Sequence, residues 1–196
     1  MSQQILEKLF DSPAKLRLLK LFLRNPHDAF TPAEIRHRIR LDAGPIRTQL
    51  HKLHDIRFIR ASKKRGLKER LYQLNPDFVF FAELENLILK SSPADEDKLS
   101  KQIKGLGKIR LAILAGVFLK AERENSPTDL LIVTDSMSER RFKTFIRNLE
   151  AEAGVEIHYT ILSSEEFNYR FKMFDRFLSD VLEHSHKVLI GRLVPR

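Results

Sequence analysis

The stretch from Thr31 to Leu74, TPAEIRHRIRLDAGPIRTQLHKLHDIRFIRASKKRGLKERLYQL, constrains this chain more than any other. Thr31, Pro32 and Glu34 have the spacing of a capping box with proline in the first turn, which marks a helix start. Ile35 and Ile39 point inward on that short helix, Leu41 closes it, and Asp42 is placed to cap the next one. Over Asp42–Asp55 the apolar residues Ile46, Leu50 and Leu53 stand at i, i+4 and i+7. Such spacing buries one face and leaves Gly44, Arg47, Thr48, His51 and Lys52 on the other. Phe58–Ala61 and Arg70–Leu74 are rich in strand formers and flank Lys63-Lys64-Arg65-Gly66, which predicts a hairpin with a basic tip. The order is helix, turn, helix, strand, basic turn, strand.

Charge singles out the same stretch. Residues 1–92 hold 18 Lys+Arg against 10 Asp+Glu, and residues 93–196 hold 17 against 16. The window 36–70 alone holds 12 basic and 3 acidic side chains, as much net positive charge as the whole chain's +9. Charge focused in this way suits a polyanion, because neutralised phosphates release counterions. A content of 42% hydrophobic and 31% charged residues is that of a folded globular protein. The chain has no cysteine, which excludes disulfides and thiolate metal sites. MSQQILEKLF lacks a basic start followed by an apolar run, and the longest apolar stretch, Leu111–Leu119, is too short for a bilayer. A cytoplasmic protein with no membrane partner is the expectation.

Residues 5–90 resemble the winged helix-turn-helix regulators of bacteria and archaea, with Asp42–Asp55 as the recognition helix and the basic hairpin as the wing. The resemblance implies double-stranded DNA as partner, read by Arg47, Thr48, His51 and Lys52, with Lys63, Lys64, Arg65 and Lys68 on adjacent phosphates. It also implies homodimerisation on two-fold operators. One departure is Arg57, where such domains usually place glycine for a left-handed helix end.

Around this stretch, Gln3–Phe10 is apolar-periodic, and Ser12-Pro13 opens a helix that ends at Asn25-Pro26. Ala29-Phe30 reads as a minimal strand and Asp77–Lys90 as an amphipathic helix. Ser91–Asp95 is the best linker, so the domains are expected at 1–92 and 93–196. Beyond it a helix is predicted over Asp95–Leu106 and a strand over Ile109–Leu119. A turn at Asn125–Pro127, a strand at Leu130–Val133 and a helix over Ser136–Ala153 follow. The chain ends with a strand over Val155–Leu162, a long helix over Ser163–Glu183 and a short strand at Val188–Ile190. Phe167, Phe171, Phe174, Leu178 and Val181 form an apolar stripe down the long helix, widened by Met173 and Phe177. The fold class expected is α+β, with a small α/β domain and a central mixed sheet after the first domain.

Residues 104–162 are similar to the minimal nucleotidyltransferase fold, which places Gly-Ser after a first strand and Asp-x-Asp on the next. Here Ala115-Gly116-Val117 takes the first place and Pro127-Thr128-Asp129 the second, so Gly116 and Asp129 remain while Val117 and Pro127 replace the serine and the first aspartate. Glu156 is a candidate third acid. One carboxylate makes a weak Mg²⁺ site, and proline supplies no ligand. The resemblance therefore implies a vestigial nucleotide site at Gly116 and Asp129, without catalysis, cofactor or bound metal. The pairing of a winged helix with such a domain resembles a group of small microbial proteins inferred to be regulators, through Leu130–Val133 and Glu165–Arg170. A small-molecule or nucleotide effector is a further expected partner. His51/His54 and His184/His186 come in near pairs, yet no acidic cluster completes a ligand set at either. A Mg²⁺-dependent nucleotidyltransferase of antitoxin type, and a winged helix that binds RNA or protein, are the alternatives.

Overall fold

The computed structural model describes residues 2–63, 69–89, 96–119 and 126–191, and the chain divides into two compact units. One comprises Met1–Ser91 with Asn148–Glu156, and the other Ser92–Arg147 with Ile157–Arg196. The fold is α+β, with helices and one small sheet in each unit. The linker expected at Ser91–Asp95 lies outside the described residues. Among the described residues no helix is long and apolar enough to cross a membrane.

The first unit runs α1 (Ser2–Phe10), α2 (Pro13–Arg24), β1 (Ala29–Phe30), α3 (Pro32–Ile39), α4 (Ala43–Asp55), β2 (Ile59–Ser62), β3 (Leu71–Leu74) and α5 (Phe81–Leu89). The Lys15 amide donates to Ser12 Oγ at 3.2 Å, which caps α2. Both bonds of the capping box form on α3. The Glu34 amide donates to Thr31 Oγ1 at 3.2 Å, and the Thr31 amide donates to Glu34 Oε2 at 2.7 Å. The Thr31 amide, with its hydroxyl, holds the Glu34 carboxyl below the usual carboxylate range. Asp42 stands at the N-cap of α4, but its side chain makes no cap bond. The reason is local: the third helical residue is Pro45, which has no N–H to donate.

Arg57 resolves the helix end that lacks glycine. Its φ is 60°, so it takes the left-handed conformation itself. Its amide donates to His54 O at 2.9 Å, and the Phe58 amide donates to Leu53 O at 3.0 Å. This is a Schellman closure, sealed by the buried Leu53 and Phe58. Asn75 Nδ2 donates to Arg57 O at 2.8 Å and pins the turn from the end of β3. Phe58 then packs edge-on against Phe22 and Phe78, with ring centroids 6.4 and 5.4 Å away. β3 lies between β1 and β2, antiparallel to both. Burying each such side chain contributes roughly 1.5–3 kcal/mol. α5 starts at Phe81 rather than Asp77. Asn75 Oδ1 accepts from the Asp77 amide, and this turn leaves Val79 and Phe80 exposed.

The second unit runs α6 (Glu96–Lys104), β4 (Gly107–Leu114), a 3-10 turn (Gly116–Phe118), β5 (Leu130–Met137), α7 (Glu139–Ala153), β6 (Tyr159–Leu162), α8 (Ser164–Lys172), α9 (Arg176–Glu183) and β7 (Lys187–Ile190). Its sheet has the order β6-β5-β4-β7 and is mixed, since β5 and β6 are parallel while the other pairs are antiparallel. The central strand β5 is buried from Leu130 to Thr134. Leu111, Ile113, Leu131, Val133 and Leu162 share one sheet face and pack with Phe167, Leu178 and Val181 of α8 and α9.

Several expected bounds change here: Ser136 and Met137 belong to β5 and not to the helix expected from Ser136, and β6 starts at Tyr159 rather than Val155. The strand predicted over Ile109–Leu119 stops at Leu114, because Gly116 turns away with φ +48°. The long helix expected over Ser163–Glu183 breaks into α8 and α9. Phe174 takes φ 51°, the Asp175 amide closes onto Arg170 O at 3.0 Å, and Asp175 Oδ1 accepts from the Leu178 amide to start α9. Phe174 therefore leaves the predicted stripe and stands 87% exposed.

Asn148–Glu156, the end of α7 and the three residues after it, belong to the first unit. Gly154, with φ +77°, lies directly on α2, where a Cβ would come within 2.7 Å of the Leu21 amide nitrogen. Asn25 Nδ2 donates to Gly154 O at 2.8 Å and to Leu21 O at 2.6 Å. Lys20 of α2 is buried, and burial first, then Arg24, lowers its pKa to about 8 against the pull of Glu152 and Glu7.

Candidate nucleic-acid interface

α4 is amphipathic in the expected register. Ile46, Leu50 and Leu53 are buried, while Gly44, Arg47, Thr48, His51 and Lys52 are exposed. The helix packs on α2, α3 and β2 through its apolar side, so its opposite face is held rigidly outward. Among the described residues Arg47 and Lys52 form no ion pair. A guanidinium and an ammonium left in water carry their full charge toward any polyanion. The start of α4 is open, because nothing lies within 4 Å of a Cβ placed on Gly44. A helix N-terminus with exposed amides and an adjacent Arg favours phosphate.

The polar groups on this face differ in what they offer. Thr48 Oγ1 donates to Gly44 O at 3.2 Å, so its proton is used within the helix. His51 Nδ1 lies 2.8 Å from Asp55 Oδ2, one turn along the same face. Asp55 is a residue that sequence reasoning passed over, although its i, i+4 spacing from His51 was legible. Lys63 is exposed at the end of β2. Lys64, Arg65 and Lys68, the other phosphate contacts expected from the hairpin, lie outside the described residues. Arg36 and Arg40 of the preceding helix end are also exposed, and Arg40 caps α3 with φ 52°. Arg60 on β2 pairs with Asp77, which removes one cation from the surface balance.

A further cavity of about 500 Å³ opens between β1 and α3, lined by Asp28, Phe30, Glu34, His37 and Arg38 among others. The Arg38 guanidinium sits 5.0 Å from the Phe30 ring centroid. Its lining mixes acids (Asp28, Glu34) with bases (His37, Arg38), so it selects no single ligand charge. No periodicity in the sequence signals it.

Gly116 and Asp129, the second pair singled out by sequence, do meet in space. Asp129 is buried, and its two carboxylate oxygens accept from different backbone amides. Oδ1 takes the Val117 amide and Oδ2 the His158 amide, both at 2.9 Å. Its own carbonyl accepts from the Ala115 amide at 2.9 Å. A Cβ on Gly116 would collide with Asp129 Oδ1. The carboxylate thus clips the 3-10 turn and the start of β6 to β5, facing inward. Glu156 precedes β6 by three residues, outside the ladder that sets His158 beside Asp129. Among the described residues no three His, Cys, Asp or Glu side chains gather into a metal-binding group. Further along β5, Asp135 Oδ1 accepts from the Ser164 amide at the start of α8 at 3.0 Å. Ser164, and then Arg110, hold the Asp135 carboxyl below the usual range. That carboxylate satisfies the helix start from within the chain.

Comparison of the chain with protein-family models, with curated proteins and with solved structures gives no match.

Proposed function

We propose that this chain is a cytoplasmic transcriptional regulator that binds duplex DNA through a winged helix-turn-helix formed by α2–α4 and the β2–β3 hairpin. The observation that carries the reading is the α4 face, where Arg47, Thr48, His51 and Lys52 stand exposed on a helix anchored by Ile46, Leu50 and Leu53. A rigid helix with donors along its outer face fits the width of the major groove. The net positive balance of the window 36–70 supports it independently. Lys63, Lys64, Arg65 and Lys68 hold phosphates beside the groove, and the second unit, read as a nucleotidyltransferase-like scaffold without catalysis, serves dimerisation or effector sensing. The inward carboxylate of Asp129 favours a scaffold over a Mg²⁺ site.

Fluorescence anisotropy with duplex DNA over a salt series tests this. Binding should weaken linearly on a log–log plot with a slope of roughly −0.9 per phosphate contacted. Changing Lys63, Lys64 and Arg65 together to Ala should flatten that slope. Negligible duplex binding at low salt, or stronger binding to structured RNA, sinks the proposal.

A further inference from the structure

Resting on the reading of α4 as the groove-facing helix, we infer that Asp55 fixes the His51 ring so that its Nε2 accepts a hydrogen bond from the amino group of an adenine or cytosine. The geometry begins with the 2.8 Å contact between His51 Nδ1 and Asp55 Oδ2. An ionised carboxylate can only accept, so the proton of the neutral ring sits on Nδ1. The lone pair is then on Nε2, across the ring from Asp55. Both side chains are exposed, at 79% and 52%, so Nε2 is open to a partner.

The major groove makes that assignment specific. Adenine N6 and cytosine N4 present amino donors there, whereas guanine O6 and N7 and thymine O4 present acceptors. An Nε2 lone pair matches the first two bases and meets another lone pair at the others. The neighbours on this face do different work. Arg47 and Lys52 are donors only. Thr48 has given its proton to Gly44 O, which leaves its methyl and oxygen lone pairs outward. Without Asp55 the ring is free to turn and to adopt either tautomer, and so to offer a donor or an acceptor indifferently. Asp55 is therefore a positioning residue: it carries negative charge on a surface meant for phosphates, and the orientation of His51 offsets that electrostatic disadvantage.

The test uses the full chain. Duplexes are selected from a randomised pool, and anisotropy is measured on the selected duplex and its single-base variants. At one base pair the native protein should prefer the duplex that carries the adenine or cytosine amino group over an analogue lacking that group by roughly fivefold, the effect of one net hydrogen bond. His51→Ala and Asp55→Ala should each cut that preference to about twofold or less. Asp55→Ala should at the same time leave binding to non-specific duplex unchanged or tighter, because it removes an anion. Asp55→Asn should keep the preference, since its amide oxygen accepts the same Nδ1–H. A split between affinity and base choice is not what mere loss of structure produces, and thermal melting of each variant checks folding. The inference is overturned if Asp55→Ala keeps the native base profile, or if removing the amino group of the adenine or cytosine in the preferred pair leaves His51-dependent binding unchanged. Binding with an unaltered profile sinks this inference alone, whereas absence of duplex binding sinks the regulator reading beneath it as well.

Discussion

The outer face of α4 and the Gly116–Asp129 corner are both places where the sequence concentrates chemistry-bearing residues, and they are built in opposite ways. On α4 the polar side chains radiate into water while three aliphatic residues hold the helix down. At the corner the polar group is turned inward, buried, and both its oxygens accept backbone amides. An outward charge costs the fold little and is free to meet a partner. A buried carboxylate with its acceptor sites filled is a structural clip, because releasing it would strand amides in an apolar interior. What distinguishes a site from a strut here is therefore where the hydrogen-bonding capacity goes.

The sharpest way to break that comparison is Asp129→Ala. It should orphan the Val117 and His158 amides and lower stability by about 2–5 kcal/mol in denaturant unfolding. DNA affinity of the protein that remains folded should stay unchanged. A stable Asp129→Ala variant would show that the corner is not a clip.

Lys20 extends the contrast to an inward cation in the first unit. Its folded pKa of about 8 lies below the 10.5 of an ordinary lysine, so the unfolded chain binds more protons between these values. Stability should therefore rise as pH goes from about 8 to 10.5. The rise from this group should be about 3 kcal/mol, because each tenfold difference in proton affinity between the folded and unfolded chain is worth about 1.4 kcal/mol. Chemical denaturation across that window checks it, and Lys20→Met should remove the rise.

Arg47→Ala and Lys52→Ala make the converse case. Each should weaken duplex binding roughly tenfold at moderate salt and reduce the salt slope by about one contact. Neither should move the melting temperature by more than about a degree, since exposed charges away from special features change stability little.

The smallest effect belongs to Arg57→Gly. Relieving a left-handed backbone at φ 60° should stabilise the protein by up to about 1 kcal/mol, seen as a higher unfolding midpoint. A loss of DNA affinity in this variant without a change in fold would add Arg57 to the proposed binding face.

The helix starts at Ser12, Thr31 and Ser163 were legible because a cap needs only a side chain and an amide three residues apart. The inward stripe of α4 was legible because period 3.6 is a local property. Asp42 illustrates the limit of even local rules, since a proline three residues on removed the donor it would have capped. The start of α5 was misplaced because the Asn75 turn competes with helix over Asp77–Phe80. Three apolar residues in register, Phe167, Phe171 and Phe174, suggested one helix, yet a left-handed residue and an Asp cap broke it after α8.

From sequence alone came the elements near their caps, the charge focused on residues 36–70 and the outward residues of α4. Each depends on neighbours within a few positions or on a simple count of charge. Tertiary structure decided that Asp129 faces in, that Gly154 seats the end of α7 on α2, and that Asp55 holds His51. The first two depend on hydrogen bonds and packing between residues 29 and more than a hundred positions apart. No periodicity encodes such partners, because the free energy that selects them comes from desolvating and pairing groups that meet only after the chain has folded. The third is one helical turn long, and structure was needed only to show that both side chains adopt the paired orientation.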